Sequence, residues 1–179
     1  MIPSDIPVWL AAAGGALCII VGREIFGGTG LNPFNPALTG LVLIRLAVPS
    51  AAPSMAQSSH GFFPLALLAG AVYLFARKNL KPHAAVAFVV AGLSYALLAD
   101  AGSAAKRGLT LFNGEFMLGA LFLANDPVTT PITKKGKAAF GGVCGLLAPA
   151  VGVTYSVLIA NMLTPLFDEV MRPRRFGRT

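Results

Sequence analysis

The sequence predicts an all-α membrane protein, a polytopic bundle of about six transmembrane helices plus one reentrant, broken half-helix. Three observations predict it. With 55% hydrophobic residues, 12% charged residues and a mean hydropathy of +0.72, a chain of 179 residues has too little polar surface for a soluble domain. Apolar runs succeed one another along the chain with short polar segments between them. Between the first two runs lies Phe26-Gly-Gly-Thr-Gly-Leu-Asn-Pro-Phe-Asn-Pro36, where three glycines and two prolines deny the backbone a regular helix. Unwound backbone at that depth is tolerated only where protein or a cavity covers it.

The first run, Ile6 to Val21, carries Trp9 near its outer end, as an interfacial anchor would. It has no basic leader and no small-residue cleavage site, so this helix is expected to remain in the mature protein. The second run, Ala37 to Val48, is short enough to be the half-helix that follows the break. Phe62 to Ala76, Ala84 to Ala99 and Leu109 to Ala124 read as crossings. Pro149 and Gly152 interrupt the apolar stretch that begins at Ala138, which predicts two helices, Ala138 to Val151 and Val153 to Phe167, joined by a tight turn. Gly141 and Gly145 form a Gly-x-x-x-Gly face suited to close helix packing.

The net charge of +7 is dispersed in short clusters between apolar runs, which excludes a nucleic-acid surface and fits cytoplasmic loops. Alternate crossings place Arg23, then Arg77, Lys78 and Lys81, then Lys134, Lys135 and Lys137, and the tail arginines on one side. Only Lys106 and Arg107 fall outside, with Arg45 embedded. The amino terminus and the Pro49 to Gly61 loop are therefore expected on the outer face and the carboxyl terminus in the cytoplasm. Residues 1–179 read as a single integral membrane domain, with 168–179 a basic cytoplasmic tail.

Gly27-Gly-Thr-Gly-Leu-Asn-Pro-Phe-Asn-Pro-Ala37 and Leu118-Gly-Ala-Leu-Phe-Leu-Ala-Asn-Asp-Pro-Val-Thr-Thr-Pro131 carry a family resemblance. A basic loop follows, and then Ile159-Ala-Asn-Met-Leu-Thr-Pro-Leu-Phe-Asp168. In this order the segments resemble the NqrB/RnfD family, which unites a membrane component of the sodium-translocating NADH:quinone reductase with one of the Rnf ferredoxin:NAD oxidoreductase. The resemblance covers the carboxyl-terminal portion of such a component. It implies one half of a urea-transporter-like inverted-repeat fold, a bacterial inner-membrane location, and a partner polypeptide that covers or replaces the missing half.

The family carries flavin mononucleotide on a threonine of a Ser-Gly-Ala-Thr motif in the loop after the Asn-Pro segment. Here that loop, Pro49 to His60, contains no threonine, so covalent FMN is not expected. The resemblance also implies a non-covalent riboflavin or FMN against Asn32 and Asn35, with Gly28, Gly30 and Phe34 lining the site. Paired amides suit the donors and acceptors of an isoalloxazine edge, and an aromatic ring can cover its face. The competing reading is that both asparagines cap the broken helix and hold its turn.

Asp126, before Pro127, is a candidate for cation binding or proton movement, because ionisable groups at membrane depth are functional by default. Its alternative is a turn-fixing role on nearby amides. Glu115 is a second ion or proton candidate, or a clasp paired with Arg45. Cys18 and Cys144 lack metal-motif spacing and read as buried thiols, and His60 and His83 flank opposite ends of one helix, so no metal site is expected. No nucleophile–base pairing or nucleotide loop appears, so no catalytic residue is assigned.

Two functions follow. One is a membrane subunit of an Rnf-like or Nqr-like electron-transport complex, contributing to a flavin-lined electron path or supporting its assembly. The other is a non-redox accessory subunit, or a channel-like half-unit of the urea-transporter type.

Overall fold

The computed structural model describes residues 7–49, 62–99 and 113–172. Among them are seven α-helices and no strand: α1 Val8–Ile20, α2 Pro36–Ala47, α3 Phe62–Ala76, α4 Pro82–Ala99, α5 Gly114–Leu121, α6 Lys134–Val151 and α7 Val153–Val170. Short 3₁₀ turns at Glu24–Phe26 and Leu123–Asn125 follow α1 and α5. One helix per apolar run is what the hydropathy pattern predicts. Among the described residues a single stretch, Val8–Phe26, is both long and apolar enough by composition to cross a bilayer unaided.

Among the described residues α2 and α5 are the shortest helices. At about 1.5 Å per residue, α2 with 12 residues and α5 with 8 span roughly 18 and 12 Å, against a hydrocarbon core of about 30 Å. The half-helix after Pro36 was expected from sequence, whereas Leu109 to Ala124 was expected to cross as one helix. Residues 109–112 lie outside the described residues. From Gly114 the helix ends at Leu121, because the Asn125 amide donates to the Ala120 and Leu121 carbonyls at 3.3 and 3.1 Å and turns the chain toward Asp126-Pro127. The bundle therefore has two broken helices.

The core forms where α4, α5, α6 and α7 meet. Phe88, Phe140, Cys144 and Val157 are fully buried there, and the Phe88 and Phe116 rings pack edge to face at 4.9 Å. A second cluster joins α3 to α5 through Ala71, Ala85, Met117 and Leu121. Lipid is as apolar as these side chains, so close backbone approach rather than expulsion from water holds such helices together. Gly141 and Gly145 supply that approach as expected, since a Cβ at either would strike the carbonyl of Ala84 or Phe88 on α4. On the other side, Gly40 of α2 lies against Gly14 and Cys18 of α1, with the Cys18 thiol donating to Ala37 O at 3.7 Å.

The α6–α7 junction is one residue. Gly152, at φ +87°, reverses the chain so that α7 folds back on α6, which is the tight turn expected near Pro149. At the other end α7 runs to Val170, so the segment from Asp168 is still helical, and residues 173–179 of the basic tail lie outside the described residues.

Candidate functional site

The tips of the two broken helices meet. Asn35 caps α2: its Oδ1 accepts the Leu38 N–H at 3.3 Å, and Pro36 occupies the first helical position, where a missing N–H costs nothing. The other end of the same amide, Nδ2, donates to Asp126 Oδ2 at 3.2 Å, a bond that spans 91 residues of chain. An Asn-Pro corner and an Asp-Pro corner are thereby tied together.

Asp126 is otherwise satisfied by its own turn. Oδ1 accepts the Val128 N–H at 3.1 Å, Oδ2 accepts the Thr129 hydroxyl at 3.1 Å, and its carbonyl accepts the Thr130 hydroxyl at 2.6 Å. This is the turn-fixing geometry weighed from sequence, extended by a long-range donor. Lys137, buried in the first turn of α6, donates from Nζ to Thr130 Oγ1 at 3.2 Å, so a cation, a hydroxyl and the Asp126 turn are linked in sequence. Thr133 caps α6 by accepting the Gly136 N–H at 2.9 Å.

One face of α7 closes the arrangement. Asn161, Thr164 and Asp168 recur at i, i+3 and i+7 and therefore share a face. In the amide orientation that satisfies both of its ends, Asn161 accepts the Asn35 N–H at 3.0 Å and donates to Thr129 O at 3.2 Å. Thr164 donates to the same Thr129 carbonyl at 3.0 Å, and Asp168 Oδ1 accepts the Ile132 N–H at 2.8 Å. Asn161 is almost fully buried, so these bonds are made away from competing solvent. Sequence reasoning missed Asn161, Thr129, Thr164, Asp168 and Lys137 as site residues. The signal was a polar stripe at helical spacing along a helix otherwise apolar.

The glycine segment lies outside this knot. Gly27, Gly28 and Gly30 all adopt positive φ, at 104°, 98° and 93°, which no L side chain takes without strain. Gly30 and Leu31 are exposed, while Asn32 is buried with its Nδ2 donating to Phe34 O at 2.9 Å. Phe34, half-buried, meets Phe26 edge-on at 6.3 Å. Asn32 and Asn35 thus hold the turn and cap the helix. Asn35 spends one Nδ2 hydrogen on Asp126 and one Oδ1 lone pair on the Leu38 N–H.

Arg45 and Glu115 do not form the expected clasp. Among the described residues the one ion pair is Arg23–Glu24 at 2.8 Å, on the exposed loop after α1. Glu115 sits in the first turn of α5, behind the Asn113 cap that accepts the Phe116 N–H at 2.8 Å, where the helix dipole already favours a carboxylate. Arg45, in the last turn of α2, lies beyond ion-pair distance of Glu115, and among the described residues its Nε and Nη2 are buried without a hydrogen-bond partner.

Comparison with known proteins places these features in a family. The family model described as NQR2, RnfD, RnfE family matches residues 1–62 and 54–177, two segments that meet in the loop between α2 and α3. The chain is similar to the D component of the ion-translocating oxidoreductase complex of Escherichia fergusonii, at 27% identity over 263 residues, covering 98% of this chain and 74% of the relative. The D components of Alcanivorax borkumensis, 30% identical over 246 residues, and Cellvibrio japonicus, 26% over 252, align with 98% of this chain and with 72% and 71% of themselves.

Proposed function

The chain belongs to the NQR2, RnfD, RnfE family, and on that premise we propose that it is a membrane subunit of an Rnf-like ion-translocating electron-transport complex. Its own contribution is the polar crossing of two broken helices, with Asp126 as the ionisable centre of a cation or proton path. The observation that carries this reading is the 3.2 Å bond between Asn35 and Asp126. Half-helix ends that meet at an ionisable side chain are how membrane transporters place ion sites without exposing backbone to lipid. Movement of a cation or proton onto Asp126 would compete with the Asn35 donor, so occupancy of the carboxylate and the mutual position of α2 and α5 are coupled.

The topology expected from charge supports the same reading. Counting crossings from an outer amino terminus brings both breaks, after Arg23 and before Lys134, to the cytoplasmic side, and the two corners are indeed in contact. Lys137 lies on that side of Asp126, one hydroxyl away. We further propose that the chain forms a single membrane domain and one half of a urea-transporter-like repeat pair, completed by companion subunits in a bacterial inner membrane.

A flavin has no step in this reading, which rests on the bond between Asn35 and Asp126. Asp126→Asn keeps the size of the side chain and removes its charge. In the assembled complex in vesicles, that variant is expected to abolish redox-driven ion movement while assembly persists. Undiminished ion movement would rule out the ion-path role and leave assembly as the chain's function. If the complex instead holds stoichiometric non-covalent flavin that disappears with Asn32→Ala, the flavin-path reading replaces this one.

A further inference from the structure

The contacts between α4 and α6 fix how those helices run. Gly141 lies against the Ala84 carbonyl and Gly145, one turn on, against that of Phe88, so the two helices are parallel and begin at the same end of the bundle. The α6 seam continues backward at helical spacing from Gly141 through Lys137 to Lys134, and Lys81 stands immediately before the first residue of α4. Lys81, Lys134 and Lys135 are exposed. Neither first turn holds a carboxylate, although a helix start favours anions and disfavours cations. No carboxylate reaches these lysines from elsewhere either. Among the described residues the one ion pair is Arg23–Glu24, and Asp126 and Asp168 accept hydrogen bonds from their own loop.

An apolar groove runs along the seam from these ammonium groups. Lys135, Gly142 and Leu146 share the flank of α6 next to the Gly141–Gly145 stripe. Because the helices are parallel, that flank borders the same side of the seam as Ala87 and Val90 of α4. Leu146 and Val90 are 48% and 57% exposed, and a Cβ on Gly142 would meet nothing within 4 Å. At about 1.5 Å per residue, Val90 lies about 13 Å along the axis from Lys81, and Leu146 about 16 Å from Lys135. Each distance is close to half of a hydrocarbon core of about 30 Å. Cations at one end and bare apolar surface one leaflet deep complement a lipid with a negatively charged headgroup.

We propose that the α4–α6 groove is a binding site for an anionic phospholipid, its phosphate held by Lys81, Lys134 and Lys135 and its acyl chains laid on Val90, Gly142 and Leu146. A zwitterionic lipid brings no net charge to offset the lysines, and a free phosphate leaves the apolar part of the groove uncovered. The site needs the chain to lie in a bilayer but does not need Asp126 to carry an ion, so this assignment and the ion path can fail separately.

The test is photolabelling of the assembled complex in vesicles, with phosphatidylglycerol or phosphatidylcholine carrying a diazirine midway along one acyl chain, followed by mapping of the labelled peptides. The expected result is labelling around Val90 and Leu146 that is about tenfold stronger with phosphatidylglycerol. It should persist in excess inorganic phosphate at an ionic strength matched with chloride. Lys81→Gln with Lys135→Gln should lower it to the phosphatidylcholine level, whereas Arg23→Gln with Arg172→Gln, which removes the same charge from the ends of α1 and α7, should leave it unchanged. Gly142→Leu fills the groove while keeping every lysine, and should also abolish the preference. A diffuse attraction of anionic lipid to basic loops would survive that substitution. Equal labelling by the two lipids, displacement by inorganic phosphate, or labelling unmoved by the lysine pair or by Gly142→Leu would each overturn the proposal. So would a groove labelled only after detergent has stripped companion subunits from the complex, which would assign it to protein. The wild-type lipid comparison decides the matter even if Gly142→Leu does not fold.

Discussion

Coupling between Asn35 and Asp126 is the quantity on which the crossing of the two broken helices depends. Replacing Asn35 by alanine removes the cap on Leu38 N, worth about 1 kcal/mol, and the donor to Asp126. A hydrogen bond to a charged partner contributes about 1.5–3 kcal/mol in soluble proteins, but side-chain pairs inside membrane proteins average about 0.6 kcal/mol because the unfolded chain finds other partners there. The 3.2 Å distance and partial burial place this bond between those limits, at about 1 kcal/mol, so Asn35→Ala should cost about 2 kcal/mol in all. The double-mutant cycle Asn35→Ala, Asp126→Ala isolates the shared term. Measured by reversible unfolding in mixed micelles of increasing SDS fraction, the double variant should be about 1 kcal/mol more stable than the sum of the single losses predicts. Asn35→Asp sharpens the test by keeping the cap while setting an oxygen, not a donor, against Asp126. It should be more destabilising than alanine at neutral pH, and acid should relieve it as one carboxylate takes a proton. Additivity of the two alanine variants to within about 0.3 kcal/mol, together with Asn35→Asp behaving like Asn35→Ala at every pH, would refute the tie.

Other perturbations have separable outcomes. Asn161→Leu should leave the Asn35 N–H without its α7 partner and Thr129 O with only the Thr164 hydroxyl, and cost about 2 kcal/mol in the same assay, whereas Met162→Leu, on the exposed side of α7, should be neutral within about 0.5 kcal/mol. Gly141→Val drives a side chain into the Ala84 carbonyl and should prevent recovery of folded chain from detergent extracts, while Gly142→Ala, with open space around it, should fold normally. Gly152→Ala, at φ +87° and ψ 155° with no steric neighbour, should cost about 1–3 kcal/mol through backbone strain alone, read as a lowered midpoint of unfolding.

Much of the architecture is legible in the chain because a bilayer imposes simple rules. Apolar runs become helices, since no other open structure satisfies the backbone in lipid, and each of the seven runs holds one. The break at Gly27 to Pro36 is visible because glycine and proline act locally: positive φ at three glycines and a proline at the first helical position need no distant partner. The turn at Gly152 and the packing face of Gly141 and Gly145 are legible for the same reason. Pro127 after Asp126 marks in the sequence that this helix terminates, but the apolar run gives no sign that it does so as early as Leu121. The Arg45–Glu115 clasp was a plausible pairing by charge that the positions of α2 and α5 do not make.

The sequence by itself determined the solvent, one helix for each apolar run among the described residues, the first break and the family, since each follows from composition, local backbone chemistry or a contiguous motif. Only the tertiary structure decided where the asparagine amides are spent, that Asp126 answers Asn35 across the bundle, and that a stripe on α7 binds both corners. Hydrogen bonds between residues far apart in the chain depend on how helices are placed against one another. That placement arises from glycine-mediated packing of α6 on α4 and of α2 on α1, and a glycine pattern marks a packing face without naming the helix that meets it.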